Sequence, residues 1–153
     1  MTIDKLRDLL SEIGITLTKN QGKKLHRYYE LVIEENEKIN LTRITEREDF
    51  YLKHFYDSLT LIKAIDLNQE LSVLDFGTGA GVPGIVLKIC FPNLKITLVD
   101  ALEKRCNFLN KVIKELELTD IEVIHTRGED YAKRHREKYD LVVSRAVSKL
   151  NTL

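Results

Sequence analysis

The chain has 153 residues, 43% of them hydrophobic and 31% charged, which fits one globular domain with its own core and excludes a disordered or disulfide-stapled chain. Its 24 basic and 24 acidic residues cancel, so contact with nucleic acid has to come from a local patch rather than from overall charge. No apolar run approaches the roughly 20 residues that cross a bilayer, and Asp4 and Asp8 fall where a secretory leader would be apolar, so a cytoplasmic protein without membrane contact is expected.

Residues 1–68 read as a helical region. Leu6, Leu9, Leu10 and Ile13 recur at helical spacing, and Gly14 stands where a C-terminal cap belongs. A second helix starts near Thr18 and carries Leu25, Tyr28, Val32 and Ile39 along one face. Thr45 with Glu48 three residues on is a capping-box pattern that predicts a third helix, and Asp57 is expected to cap a fourth, with Leu59, Ile62 and Ile65 inward.

From Leu71 short apolar runs alternate with helical patterns, so residues 69–153 predict a parallel α/β sheet. The runs are 71–76, 96–100, 121–125 and 139–144, with helices near 82–91, 104–116 and 129–137. Doubly wound order places the strands 3-2-1-4, with ligands expected at the carboxyl edge where strands 1 and 4 diverge. Cys90 and Cys106 both fall in predicted helices without ligand spacing, so they are read as small buried thiols and no metal site is expected. His26, His54, His125 and His135 lack a nucleophile or metal motif and are read as core or surface histidines.

The chemistry lies after strand 1, in Asp75-Phe76-Gly77-Thr78-Gly79-Ala80-Gly81. Three alternating glycines let a turn take unusual φ values and let a ligand approach the backbone, and Pro83 suits the first turn of the next helix. Gly79 to Gly84 also match the dinucleotide pattern G-x-G-x-x-G, but there the first glycine closely follows the strand, whereas Gly79 lies three residues beyond Phe76. Asp75 beside a pyrophosphate would be repulsive; S-adenosylmethionine has no phosphate and carries an ammonium and a sulfonium, which Asp75 suits better. Asp100 ends strand 2 at the spacing where an acid accepts from ribose hydroxyls. Gly128 permits backbone approach to an adenine, and Glu129 can accept from its amino group or simply favour the first helical turn. S-adenosylmethionine is therefore the expected cofactor. A nicotinamide-dependent oxidoreductase and a non-catalytic RNA- or protein-binding module are the alternatives.

Five segments resemble the bacterial small-subunit (16S) ribosomal RNA guanine-N7 methyltransferase family, once called glucose-inhibited division protein B. They are Asn40 to Ile44, His54 to Leu59, Asp75 to Gly84, Lys104-Arg105 with Phe108-Leu109, and Ser144 to Val147. The resemblance covers almost the whole chain and implies a Rossmann-like class I methyltransferase sheet. It implies that Gly77 and Val82 line the cofactor beside Gly79 and Gly81, that Gly128 and Glu129 meet the adenosine end, and that Arg145 lies by the cofactor and the incoming base. It suggests Lys104 and Arg127, with Arg145, for contact with ribosomal RNA or the small ribosomal subunit. Glu35 stands where the family often has tryptophan and is read as a surface change. The family's sheet continues past strand 4 whereas this chain ends at Leu153, so with the apolar edge Leu141-Val142-Val143 the chain is expected to self-associate through strand 4, to recruit a separate C-terminal piece or to be only marginally stable.

Overall fold

The structure is a computed structural model and describes residues 2–144. Helix α1 (Ile3–Glu12) is capped by the Thr2 side chain, which accepts from the Lys5 amide, and ends before Gly14 at φ +84°. Helix α2 (Lys19–Asn36) opens on a full capping box in which Thr18 and Gln21 satisfy each other's amides. Glu35 near its end is half-buried and lies 3.9 Å from Lys38, so it is no plain surface change.

The next stretch departs from expectation. Residues 47–63 form one helical run: α3 (Arg47–Phe50), a π-turn (Tyr51–Tyr56), α4 (Asp57–Leu59) and a 3-10 turn (Thr60–Lys63). Glu46, not Thr45, is the N-cap, and no side chain bonds there. Asp57 is not a helix cap, because the Tyr56 before it is already helical at φ −60°, ψ −48°. Phe50, Tyr51, Phe55 and Leu59 are buried, and their continuous apolar face carries the helix through the polar residues that local preference would make a boundary.

Four parallel strands follow, β1 (Ser72–Phe76), β2 (Lys95–Asp100), β3 (Ile121–His125) and β4 (Leu141–Val143), in the expected order β3-β2-β1-β4. Val73 faces Ile96 on one side and Leu141 on the other, so β1 is central. Helices α5 (Gly84–Cys90), α6 (Glu103–Glu115) and α7 (Gly128–His135) connect the strands. Pro83 is the N-cap of α5 rather than its first residue, and the helix starts two residues later than expected. Cys90 and Cys106 are free and buried, and burial pushes the Cys90 thiol up to about 12.

Alternation along β1 sends Val73 and Asp75 to one face, Leu74 and Phe76 to the other. On the first face one hydrophobic cluster runs from Leu6, Leu25 and Tyr28 through Phe50 and Phe55 to Val73, Ile85, Leu98 and Leu109. The N-terminal helices therefore share their core with the sheet. On the second face Leu74, Phe76 and Val99 pack with Ala132 of α7. No described helix is long and apolar enough to cross a membrane.

Candidate functional site

The turn after β1 is held by side chains from three separate places. Gly77, Gly79 and Gly81 all have positive φ, at +65°, +58° and +103°. Asp75, fully buried, accepts through Oδ2 from the Thr78 hydroxyl at 2.7 Å and the Gly84 amide at 2.9 Å. Asp100, 3% exposed, accepts through its Oδ2 from the Gly79 amide at 2.9 Å. Tyr28 of α2 donates its hydroxyl to the Ala80 carbonyl at 2.6 Å. The turn is thus tied to the sheet at its base and its middle and to α2 at its far side.

Above the carboxyl ends of β1 and β2 lies a cleft of about 450 Å³. Phe76, Gly77, Asp100, Arg127, Gly128 and Glu129 line it, together with Ala101, Leu102, Arg105 and Asp130. Five of the residues singled out in the sequence therefore converge on one surface. Asp75, Gly81 and Val82 are buried and do not line it; they form the support beneath the turn. Gly79 does not line it either, but a Cβ there would meet nothing within 4 Å. Gly128 is needed for a reason the sequence did not disclose, since a Cβ at that position would come within 2.9 Å of the Gly77 backbone nitrogen. It lets the β3–α7 turn close on the glycine turn.

Asp100 has acceptor capacity to spare. Its Oδ1 accepts from the Leu102 amide at 3.0 Å and lies 3.8 Å from Arg105 Nη1. An ionised carboxylate has about four acceptor positions, so each oxygen can take a further donor from the cleft. Glu129 is exposed in the first turn of α7, and Leu102, 52% exposed, offers an apolar surface at the rim. Arg127 is also at the rim, 3.9 Å from Asp130. Lys104 is exposed but does not line the cleft, and Arg145 lies outside the described residues.

Arg105 went unassigned to the site in the sequence and is one of its organising groups. Besides approaching Asp100, it donates through Nη2 to the Asn40 carbonyl at 3.3 Å. The loop it reaches is itself ordered: Asn36 Oδ1 accepts from the Leu41 and Thr42 amides at 2.8 and 3.0 Å, and Thr42 Oγ1 meets His54 Nε2 at 3.0 Å. His54 thus serves the loop. His26, His125 and His135 bond to Tyr51, Ala101 and Tyr131. Among the described residues no group of His, Cys, Asp and Glu could hold a metal ion.

The expected ligand edge between β1 and β4 is only partly matched, because the cleft described above lies over β1, β2 and the β3–α7 turn. A second cleft of about 520 Å³ runs beside β4, lined by Asp57, Ser58, Pro83 and Leu141 to Ser144 among others.

A family model described as rRNA small subunit methyltransferase G matches residues 21–153. The chain belongs to that family. A member from Bacillus cytotoxicus, named ribosomal RNA small subunit methyltransferase G, is 48% identical over 155 residues, which takes in 100% of this chain and 65% of the relative. The chain thus spans about two thirds of the length of the curated family members it matches. Solved structures share the fold. A protein-L-isoaspartate O-methyltransferase superposes with a TM-score of 0.60 at 12% identity, covering 94% of this chain and 47% of that one. A Plasmodium falciparum protein described as a protein-L-isoaspartate O-methyltransferase, solved with S-adenosyl-L-homocysteine, gives 0.54 at 15% identity, covering 94% and 73%. The architecture is the Rossmann-like sheet of class I S-adenosylmethionine-dependent methyltransferases.

Proposed function

We propose that this chain is the S-adenosylmethionine-binding part of a methyltransferase acting on N7 of a guanine in small-subunit (16S) ribosomal RNA, as a cytoplasmic protein. The observation that carries the reading is the convergence of Gly77, Asp100, Gly128 and Glu129 on one cleft at the sheet's carboxyl edge. The names of the family model and of its members support the substrate.

The residues fit the cofactor. Asp100 has acceptor positions left for ribose hydroxyls, Glu129 is exposed where it can accept from an amino group, and Leu102 gives apolar contact for an adenine. Asp75, with Gly79, Gly81 and Val82, sets the shape of the turn; its buried charge also favours a cationic tail nearby. When bound, S-adenosylmethionine supplies a methyl group on an electron-poor sulfonium.

Guanine N7 presents a lone pair and no proton, so no side chain of this chain has to act as a general base. What the protein contributes is position, worth up to roughly 7–11 kcal/mol where alignment is good. We assign Arg145 to orienting the base by donating to O6, and Lys104 and Arg127 to the RNA backbone. Because the A-form major groove hides N7, a loop or splayed nucleotide is the substrate form this reading expects.

Calorimetric titration with S-adenosylmethionine, S-adenosylhomocysteine and NAD tests the reading. The two sulfur compounds are expected to bind and NAD is not, and Asp100→Ala should weaken S-adenosylhomocysteine by about 1–3 kcal/mol, the scale of hydrogen bonds to a charged acceptor. Unchanged affinity in a folded Asp100→Ala chain would remove the ribose assignment. Tight NAD binding would remove the methyltransferase reading altogether.

Self-association through β4 belongs to the same proposal. Among the described residues β4 pairs with β1 alone, and its flank forms one wall of the second cleft. Sedimentation of the purified chain should show a concentration-dependent dimer or larger species, and a monomer at every concentration would rule the association out.

A further inference from the structure

The glycine turn has a defect in its own hydrogen bonding, and the N-terminal region repairs it. A carbonyl entering a helix normally accepts from the amide three or four residues on. For Ala80 those donors are Pro83, which has no N–H, and Gly84, whose amide is drawn to Asp75 Oδ2 at 2.9 Å. Ala80 is 5% exposed, so water is a poor substitute, and a buried carbonyl without a donor is costly. The hydroxyl of Tyr28 fills the gap at 2.6 Å, across 52 positions of sequence.

Tyr28 is built for this single contact. The residue is fully buried; its ring lies 6.0 Å from Phe55 in a stacked arrangement and 6.4 Å edge-on from Phe50, so it has little freedom to swing away. A phenylalanine would satisfy that packing equally well; the hydroxyl alone demands a polar partner. Burial raises the phenol's pKa, which keeps it a donor throughout the working range. The fit is mutual, because a Cβ at Gly81 would stand 3.0 Å from the Tyr28 oxygen. The far end of the turn is thereby fixed opposite the Asp100 contact at Gly79.

We propose that Tyr28 is a positioning residue for the cofactor turn: its hydroxyl replaces the missing helix donors of Ala80 and holds residues 79–82 in the shape that binds the ligand. The inference rests on the cofactor reading above. It makes α2 a working part of the site rather than packing beneath it.

The test compares Tyr28→Phe with Leu25→Ala, a core truncation on the same helix, using S-adenosylhomocysteine calorimetry and amide hydrogen exchange. The amides of Gly81, Val82 and Ile85, which bond to Thr78 and Gly81 carbonyls, report on the turn. Tyr28→Phe is expected to weaken S-adenosylhomocysteine about tenfold and to speed exchange at those three amides, with Val123 in β3 unchanged. Leu25→Ala should lower the unfolding midpoint and leave the affinity of the folded chain alone. Wild-type affinity in folded Tyr28→Phe overturns the proposal. If the unaltered chain binds no S-adenosylhomocysteine, the cofactor reading fails, and wild-type exchange at the three amides in Tyr28→Phe then overturns the clamp as well. Should Tyr28→Phe not fold, 3-fluorotyrosine placed at position 28 alone keeps the hydroxyl and makes it more acidic; exchange at the same three amides is expected to change against the unaltered chain, and unchanged exchange overturns the proposal.

Discussion

Asp75→Ala is expected to lower the unfolding free energy by about 2–6 kcal/mol, the sum of leaving two buried donors unmet at roughly 1–3 kcal/mol each. The Thr78 hydroxyl and the Gly84 amide both end on Asp75 Oδ2. The one carbonyl the helix ladder would offer the Gly84 amide, that of Ala80, already accepts from Tyr28. Asp75→Asn keeps an acceptor oxygen and should cost clearly less, which separates lost hydrogen bonding from lost charge. Denaturant unfolding at neutral pH decides the point. A cost below about 0.5 kcal/mol for Asp75→Ala, the scatter of ordinary surface substitutions, would show that the carboxylate does not hold the turn.

Gly81→Val should be comparably damaging, for reasons of space and backbone together. At φ +103° a β-branched residue is strained by roughly 1–3 kcal/mol. Its Cβ would also stand 2.6 Å from Ile85 Cγ1 and 3.0 Å from both Leu109 Cδ2 and the Tyr28 oxygen, overpacking that costs about 1–3 kcal/mol more. The expected total is about 2–6 kcal/mol with S-adenosylhomocysteine binding lost. Gly14→Ala is the control, because it shares the positive φ, +84°, and meets nothing within 4 Å. It should cost only the backbone share, about 1–2 kcal/mol. Equal losses at Gly14→Ala and Gly81→Val would mean that crowding contributes nothing.

Much of the frame could be read before the structure was known, because the signals are local. The helix start near Thr18, the four apolar runs and the glycine turn are each written within a few residues, and right-handed crossovers order the strands. Thr45 and Asp57 misled for the complementary reason. Both are good local caps, but the buried face of Phe50, Tyr51, Phe55 and Leu59 outweighs a preference of about 1 kcal/mol and draws the helix through. At the site, the residues contributed by type and spacing, Gly77, Asp100, Gly128 and Glu129, do meet. Tyr28 and Arg105 were hidden because their partners lie 52 and 65 positions away, and nothing in the local sequence separates a tyrosine that packs from one that donates. Gly128 was noticed for the right residue type, but its closest constraint is the neighbouring turn.

The single hydrophobic cluster that joins Leu6, Leu25 and Tyr28 to Ile85 and Leu109 bears on how this chain can be re-engineered. Grafting residues 1–68 of one family member onto the sheet of another exchanges half of a packed interior and the donor that steadies Ala80. Such chimeras should inherit altered cofactor affinity along with any change in RNA preference, unless the residues facing the graft are exchanged with it.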